Sequence, residues 1–132
     1  MENRRSWTYC ISEAPVTKKN SQQILTNRRT GKPFIMPSSK FRQYEKAARL
    51  YLMPCPKEPI TYPVEVRCTF YMPTRRAVDL TNLLEAVDDI LVSCGILADD
   101  NSKITVSHDG SRVRYDKLHP RTEIVITPMK GD

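Results

Sequence analysis

Residues 79–101, DLTNLLEAVDDILVSCGILADDN, constrain the fold more than any other stretch of the chain. Leu80, Leu83, Leu84, Val87, Ile90 and Leu91 recur at steps of three and four, the pattern of a helix with one apolar face laid on a core. Asn82, Glu85 and Asp89 step the same way on a polar face, with Asp88 beside Glu85. Gly95 suits the left-handed residue that ends a helix, so the chain is expected to reverse there. From Ser93 back to Asp79 is roughly 21 Å at about 1.5 Å per residue, and an extended run from Gly95 to Asp100 covers roughly 17 Å at about 3.3 Å per residue. An antiparallel return would bring Asp99 and Asp100 near the carboxylates of the first turns, forming a compact cluster at the start of the helix.

The segment holds six carboxylates, Asp79, Glu85, Asp88, Asp89, Asp99 and Asp100, and no Lys or Arg. Its surroundings are basic. Residues 1–57 carry 12 Lys or Arg against three Glu, and the 132-residue chain has a net charge of +6. Carboxylates gathered inside a basic chain point to a cation site facing a polyanion, with the basic surface attracting phosphates and the carboxylates holding a metal against them. The same residues also read as plain structure. Asp79 serves as an N-cap, Asn82 and Glu85 have capping-box spacing, Glu85, Asp88 and Asp89 form a solvated face, and Asp99-Asp100-Asn101 is a turn.

Asp-Leu-x-Asn-Leu-Leu, a helix, and then Gly-Ile-Leu-x-Asp-Asp at this distance resembles the RusA family of Holliday-junction resolvases, small magnesium-dependent endonucleases found largely in phages and prophages. The family pattern is Asp-Leu-Asp-Asn-Leu-Leu-Lys, a helix, then Gly and Asp-Asp. By that resemblance Asp79 matches the first catalytic Asp and Asp100 the last, and Asn82 and Asp89 fall where the family has those types. Thr81 stands where the family has its second metal-binding Asp, and Glu85 where it has a Lys. Glu85 lies one turn beyond Thr81 on the same face, so it is the candidate to replace the missing carboxylate. The resemblance implies Mg²⁺, with Mn²⁺ as a substitute, held by Asp79 and Asp100 with Glu85 or Asp99 helping. Asp79, Asp100 and Glu85 are the catalytic candidates. It also implies a homodimer acting on four-way DNA junctions in recombination and repair, with residues 80–93 or their neighbours as a candidate interface.

The rest of the chain supplies a frame and a basic surface. The first six residues are expected to fray and the last four to be disordered. Trp7, Tyr9 and Ile11 alternate as a short strand, and residues 12–21, with Lys18 and Lys19, read as a loop too polar to pack. Residues 22–26 and 32–36 flank a Gly-containing tip that projects Arg28 and Arg29, either as a basic finger on a phosphate backbone or as a solvated turn. After Pro37, Ser38 and Ser39 signal a helix with Phe41, Tyr44, Ala48, Tyr51 and Leu52 inward and Lys40, Arg42, Lys46 and Arg49 outward. Pro54, Pro56 and Pro59 end it. Val64–Met72 alternates as the clearest strand, and Pro73-Thr74-Arg75-Arg76 leads it straight to Asp79. Arg75 and Arg76 are candidates to supply counter-charge to a phosphate there, one of them in place of the Lys missing at position 85. Residues 104–106 begin another strand, Asp109-Gly110 signals a hairpin turn, and Arg112 and Arg114 alternate beyond it. His108 reads either as a general base or phosphate ligand, or as incidental beside a turn. Residues 122–127 close the set as a strand with Ile124 and Ile126 on one side.

Together these features describe one α+β domain spanning 1–132, with a mixed sheet of about five strands and two main helices. Cys10, Cys55, Cys68 and Cys94 lack metal-type spacing, so structural zinc is not expected, and Cys68 and Cys94 read as core. No apolar run is long enough to span a bilayer and no signal peptide is evident, which reads as a cytoplasmic protein without membrane attachment. Without a glycine-rich phosphate loop, nucleophile elbow or heptads, no small-molecule cofactor is expected and P-loop ATPases, serine hydrolases and coiled coils are excluded. The function that results is Mg²⁺-dependent, structure-specific endonucleolytic cleavage of DNA junctions. A catalytically inactive branched-DNA-binding protein, or a metal nuclease acting on other DNA or RNA structures, remains open beside it.

Overall fold

The computed structural model describes residues 4–18, 22–37 and 39–130. Strands β1 (Trp7–Ile11), β2 (Gln22–Thr26), β3 (Pro33–Pro37), β4 (Val64–Met72), β5 (Thr105–Ser107), β6 (Arg112–Tyr115) and β7 (Arg121–Pro128) accompany helices α1 (Ser39–Tyr51) and α2 (Leu80–Ser93). The main sheet has five strands in the order β1-β7-β4-β5, with β6 also on β4, while β2 and β3 pair as a separate antiparallel hairpin. β1 and β4 run antiparallel to β7, and β5 and β6 run parallel to β4. The sheet is mixed, as the sequence predicts, because α2 carries the chain from β4 across to a parallel neighbour.

Period-two burial shows how the sheet is covered. Val64, Val66, Cys68 and Phe70 of β4, Ile124 and Ile126 of β7 and Ile11 of β1 are buried on one face. Phe41, Tyr44 and Ala48 of α1 and Leu83, Ala86, Val87, Ile90 and Leu91 of α2 join them in a single core. Tyr51, expected inward, is exposed instead, whereas Leu52, just past the end of the helix, is buried as expected. A hydroxyl contact of 3.4 Å between Tyr44 and Thr122 ties α1 to β7, and burial pushes the Tyr44 phenol up to about 12.

Three expectations are corrected by packing. Residues 12–18 are a loop, but Pro15 and Thr17 are buried and Val16 packs on the core, so polarity did not keep the segment off the protein. The described residues near the ends are held: Arg4 and Arg5 lie 4.1 Å and 3.8 Å over the Tyr62 and Trp7 rings, and Met129 N–H donates to the Pro63 carbonyl at 2.9 Å, while residues 1–3 and 131–132 lie outside the described residues. Asp109-Gly110 does not close a hairpin, because β5 and β6 do not pair with each other. They lie in line along the same edge of β4, interrupted by a turn in which Gly110 has φ +83. The β4 groups facing that interruption are satisfied by side chains. Cys68 N–H donates to Ser111 Oγ at 3.0 Å, and the Val66 carbonyl accepts from His108 Nδ1 at 2.8 Å.

Candidate functional site: the acidic helix cap and its return loop

The start of α2 is built by Asp79. In an extended conformation (φ −88, ψ 115), it caps the helix by accepting on Oδ1 from Thr81 N–H at 2.9 Å and Asn82 N–H at 3.4 Å. Thr81 Oγ1 donates to the same oxygen at 2.6 Å. Thr81 therefore acts as a donor that fixes Asp79. Glu85 follows one turn later on the exposed surface of α2.

The other end returns as the Gly95 signal predicts. Gly95 has φ +78, its N–H donates to the Val92 carbonyl at 3.0 Å, and Ile96 N–H donates to the Leu91 carbonyl at 3.0 Å, which is the Schellman pattern. Buried Ile96 and Leu97 anchor the returning chain, and Ile60 N–H donates to the Ile96 carbonyl at 2.9 Å. Beyond them, Asp99 accepts on Oδ1 from Asp100 N–H at 2.7 Å and on Oδ2 from Asn101 Nδ2 at 3.0 Å, so its carboxyl is lowered by bonds within its own turn. Asp100 is raised, first by desolvation and then by its contact with Asp99 and the charges of Asp88 and Asp99.

Two helical carboxylates outside the candidate site set are engaged. Asp89 Oδ2 meets Lys18 Nζ at 3.0 Å. Asp88 Oδ2 meets His108 Nε2 at 2.9 Å, while its Oδ1 is buried without a hydrogen-bond partner. His108 places Nδ1 on a carbonyl and Nε2 on a carboxylate, a pair of acceptors that favours the doubly protonated ring, in which both nitrogens donate. The Asp88 hydrogen bond raises His108 against the opposing effect of burial. Asp88 of α2 and His108, just after β5, are 20 residues apart in the chain, so their pairing carries no local sequence signal.

The basic candidates fall in separate places. Lys18 is paired as above, and Lys19 lies outside the described residues, as does Ser38. Arg28 and Arg29 are exposed at the β2–β3 tip, where Asn27 Oδ1 accepts from Arg29 N–H at 2.9 Å. Arg42 and Lys46 are exposed on α1, and Arg112 and Arg114 on β6. Arg75 lies 4.3 Å over the Tyr115 ring. Arg76 lines a cavity with Lys40 and Val78 just ahead of Asp79.

Among the described residues, no three His, Cys, Asp or Glu side chains stand close enough together to hold a metal ion. The donor chemistry nevertheless fits a hard divalent cation. A buried carboxylate oxygen of Asp88 lacks a partner and the Asp100 carboxyl is raised beside two other carboxylates, the condition a cation relieves.

A basic α+β domain in which Arg75 and Arg76 lead the chain into an acidic helix cap has the make-up of a phosphodiester-handling protein. The chain matches the family described as Endodeoxyribonuclease RusA over residues 14–127, and it belongs to that family. Membership implies a junction-resolving endonuclease acting on DNA. No curated protein matches the chain. Among the described residues, no helix is long and apolar enough to cross a membrane.

Proposed function

We propose that the chain is a divalent-cation-dependent endodeoxyribonuclease that cuts four-way DNA junctions as a homodimer during recombination and repair. The reading rests on one observation: the family match over 14–127 encloses the whole acidic segment, with Asp79 in position as the cap of α2. Asp79 and Asp100 would hold Mg²⁺ or its substitute Mn²⁺, with Glu85 or Asp99 assisting. When bound, the ion supplies Lewis-acid polarisation of the phosphate and a more acidic water. The chain's own residues do the rest. Thr81 and the first-turn N–H groups hold Asp79 in one orientation. Arg75 and Arg76 offer counter-charge to the developing phosphorane, and Arg28, Arg29, Arg42, Lys46, Arg112 and Arg114 dock flanking phosphates. A two-fold dimer suits a four-way junction because paired sites cut symmetric strands.

A second reading, a junction-binding protein that does not cut, is favoured by the donor role of Thr81 and by the lack of three converging ligands among the described residues. One assay separates them. The purified protein is incubated with a labelled four-way junction, a matched duplex and a single strand, each with Mg²⁺, Mn²⁺ or EDTA, beside Asp79→Asn. Paired nicks in the junction alone, lost with EDTA and in the variant, are expected. Binding without cutting under every metal would leave the second reading.

A further inference from the structure

The β4–α2 loop does more than deliver Asp79. With the 15–17 segment and the start of α1 it lines an open cleft of about 450 Å³, within the range of roughly 300–1,000 Å³ of small-molecule pockets. Its lining is divided by chemistry: Val16, Met72 and Val78 give an apolar wall, while Lys40 and Arg76 bring two cations and Thr74 a hydroxyl. Thr74 Oγ1 accepts from Arg76 N–H at 3.4 Å, which bends the loop around the opening. Among the described residues, neither Lys40 nor Arg76 is ion-paired.

We propose that this cavity takes one unstacked nucleotide of the DNA substrate, its base against Val16, Met72 and Val78 and its phosphates on Lys40 and Arg76. The proposal rests on the DNA-cleaving reading of the same site and specifies how the substrate is held there. A stacked duplex cannot enter a space this small; a single nucleotide can. Apolar and thioether side chains accept any base face, and a base that has lost its pair, as one can where strands exchange at a crossover, costs least to unstack. Because the cavity wall runs through Val78 directly into Asp79, a nucleotide seated there places a neighbouring phosphate toward the acidic cap. The cavity thus gives a physical basis for preferring branched over continuous DNA.

The test uses four-way junctions with 2-aminopurine at one nucleotide per molecule around the crossover, bound in EDTA and also in Mg²⁺ to the Asp79→Asn protein. Fluorescence is expected to rise severalfold at one or two adjacent positions, as a base leaves the stack. Ala77→Trp fills the cavity from an exposed position, and Thr74→Tyr does so independently should the first variant melt early. Each should abolish the rise and weaken junction binding severalfold, as the apolar contact of the base with Val16, Met72 and Val78 is lost. An abasic nucleotide at the brightening position should weaken the unsubstituted protein equally and leave the filled variants unaffected. A bound junction that brightens nowhere, or brightens equally with the filled variants, overturns the proposal alone. No junction binding by band shift sinks the DNA-cleaving reading as well, so the two failures are distinguishable.

Discussion

Asp79 has two roles that one substitution can separate. As a cap it satisfies N–H groups at the start of α2, which Asn does equally well; as a carboxylate it brings a charge, which Asn does not. Asp79→Asn is therefore expected to hold its urea midpoint, with a stability change under about 0.5 kcal/mol, and Asp79→Ala to lose about 1 kcal/mol. Both should lose junction cleavage by about a hundredfold or more, the scale of several kcal/mol of charge stabilisation. Cleavage surviving in Asp79→Asn would make the residue a cap and nothing else. His108 gives a prediction in pH. Its folded pKa is raised above the ordinary 6.5 by Asp88, so the folded state binds the proton more tightly than the unfolded chain. That stabilisation is fully present below pH 6.5 and is lost as pH rises through the folded value. Melting temperatures of the unsubstituted protein should fall above pH 6.5 relative to those of His108→Gln, and parallel curves would show that the pair contributes no pH-dependent stability.

At the scale of elements, the return of the chain depends on Gly95. Its φ of +78 lies where a side chain is strained, although nothing within 4 Å would meet an added Cβ. Gly95→Ala should thus cost about 1–2 kcal/mol through the backbone alone. Because the turn aims Asp99 and Asp100, cleavage should fall in the same variant at temperatures where it remains folded, and urea melts beside junction assays would check both. This helix and its reversal were legible because apolar spacing, cap and glycine agree within one stretch, and α2 occupies Leu80–Ser93 as expected. Strands β1, β4 and β7 were legible for the same local reason, since each alternates inward and outward residues. The β5–β6 edge was not. Asp-Gly signals a turn, but whether the flanking strands pair with each other or both with β4 depends on side chains such as His108 and Ser111 replacing ladder bonds. The loop from Ser12 to Lys18 reads as unpacked from the sequence because its buried residues, Pro15 and Thr17, carry no periodicity. Of the site, the positions of Asp79 and Gly95 could be read locally, while the pairing of Lys18 with Asp89, 71 residues apart, could not.

Over the whole molecule, the net charge of +6 is spread so that the acidic segment is flanked along the chain by basic stretches, and the pairing found in the fold removes some cations from the pool available to DNA. Lys18 is committed to Asp89 and Arg121 to Asp116, whereas Arg28 and Arg29 are exposed at the far tip of the β2–β3 hairpin. If the tip lies along a phosphate backbone, each arginine there releases about one counterion when DNA binds. Junction affinity measured by fluorescence anisotropy should then fall by about a thousandfold or more between 50 and 200 mM salt, as for a protein with at least six phosphate contacts. Replacing Arg28 and Arg29 with Ala should lower the slope of log K against log salt by about two and weaken junction and duplex alike, because phosphates carry no branch or sequence information. The hairpin forms its own two-stranded sheet, so these changes should leave the melting temperature of the main core unchanged. An unaltered slope in the double variant would mean that the tip faces solvent in the complex, and that the docking cations are those of α1, the β4–α2 loop and β6.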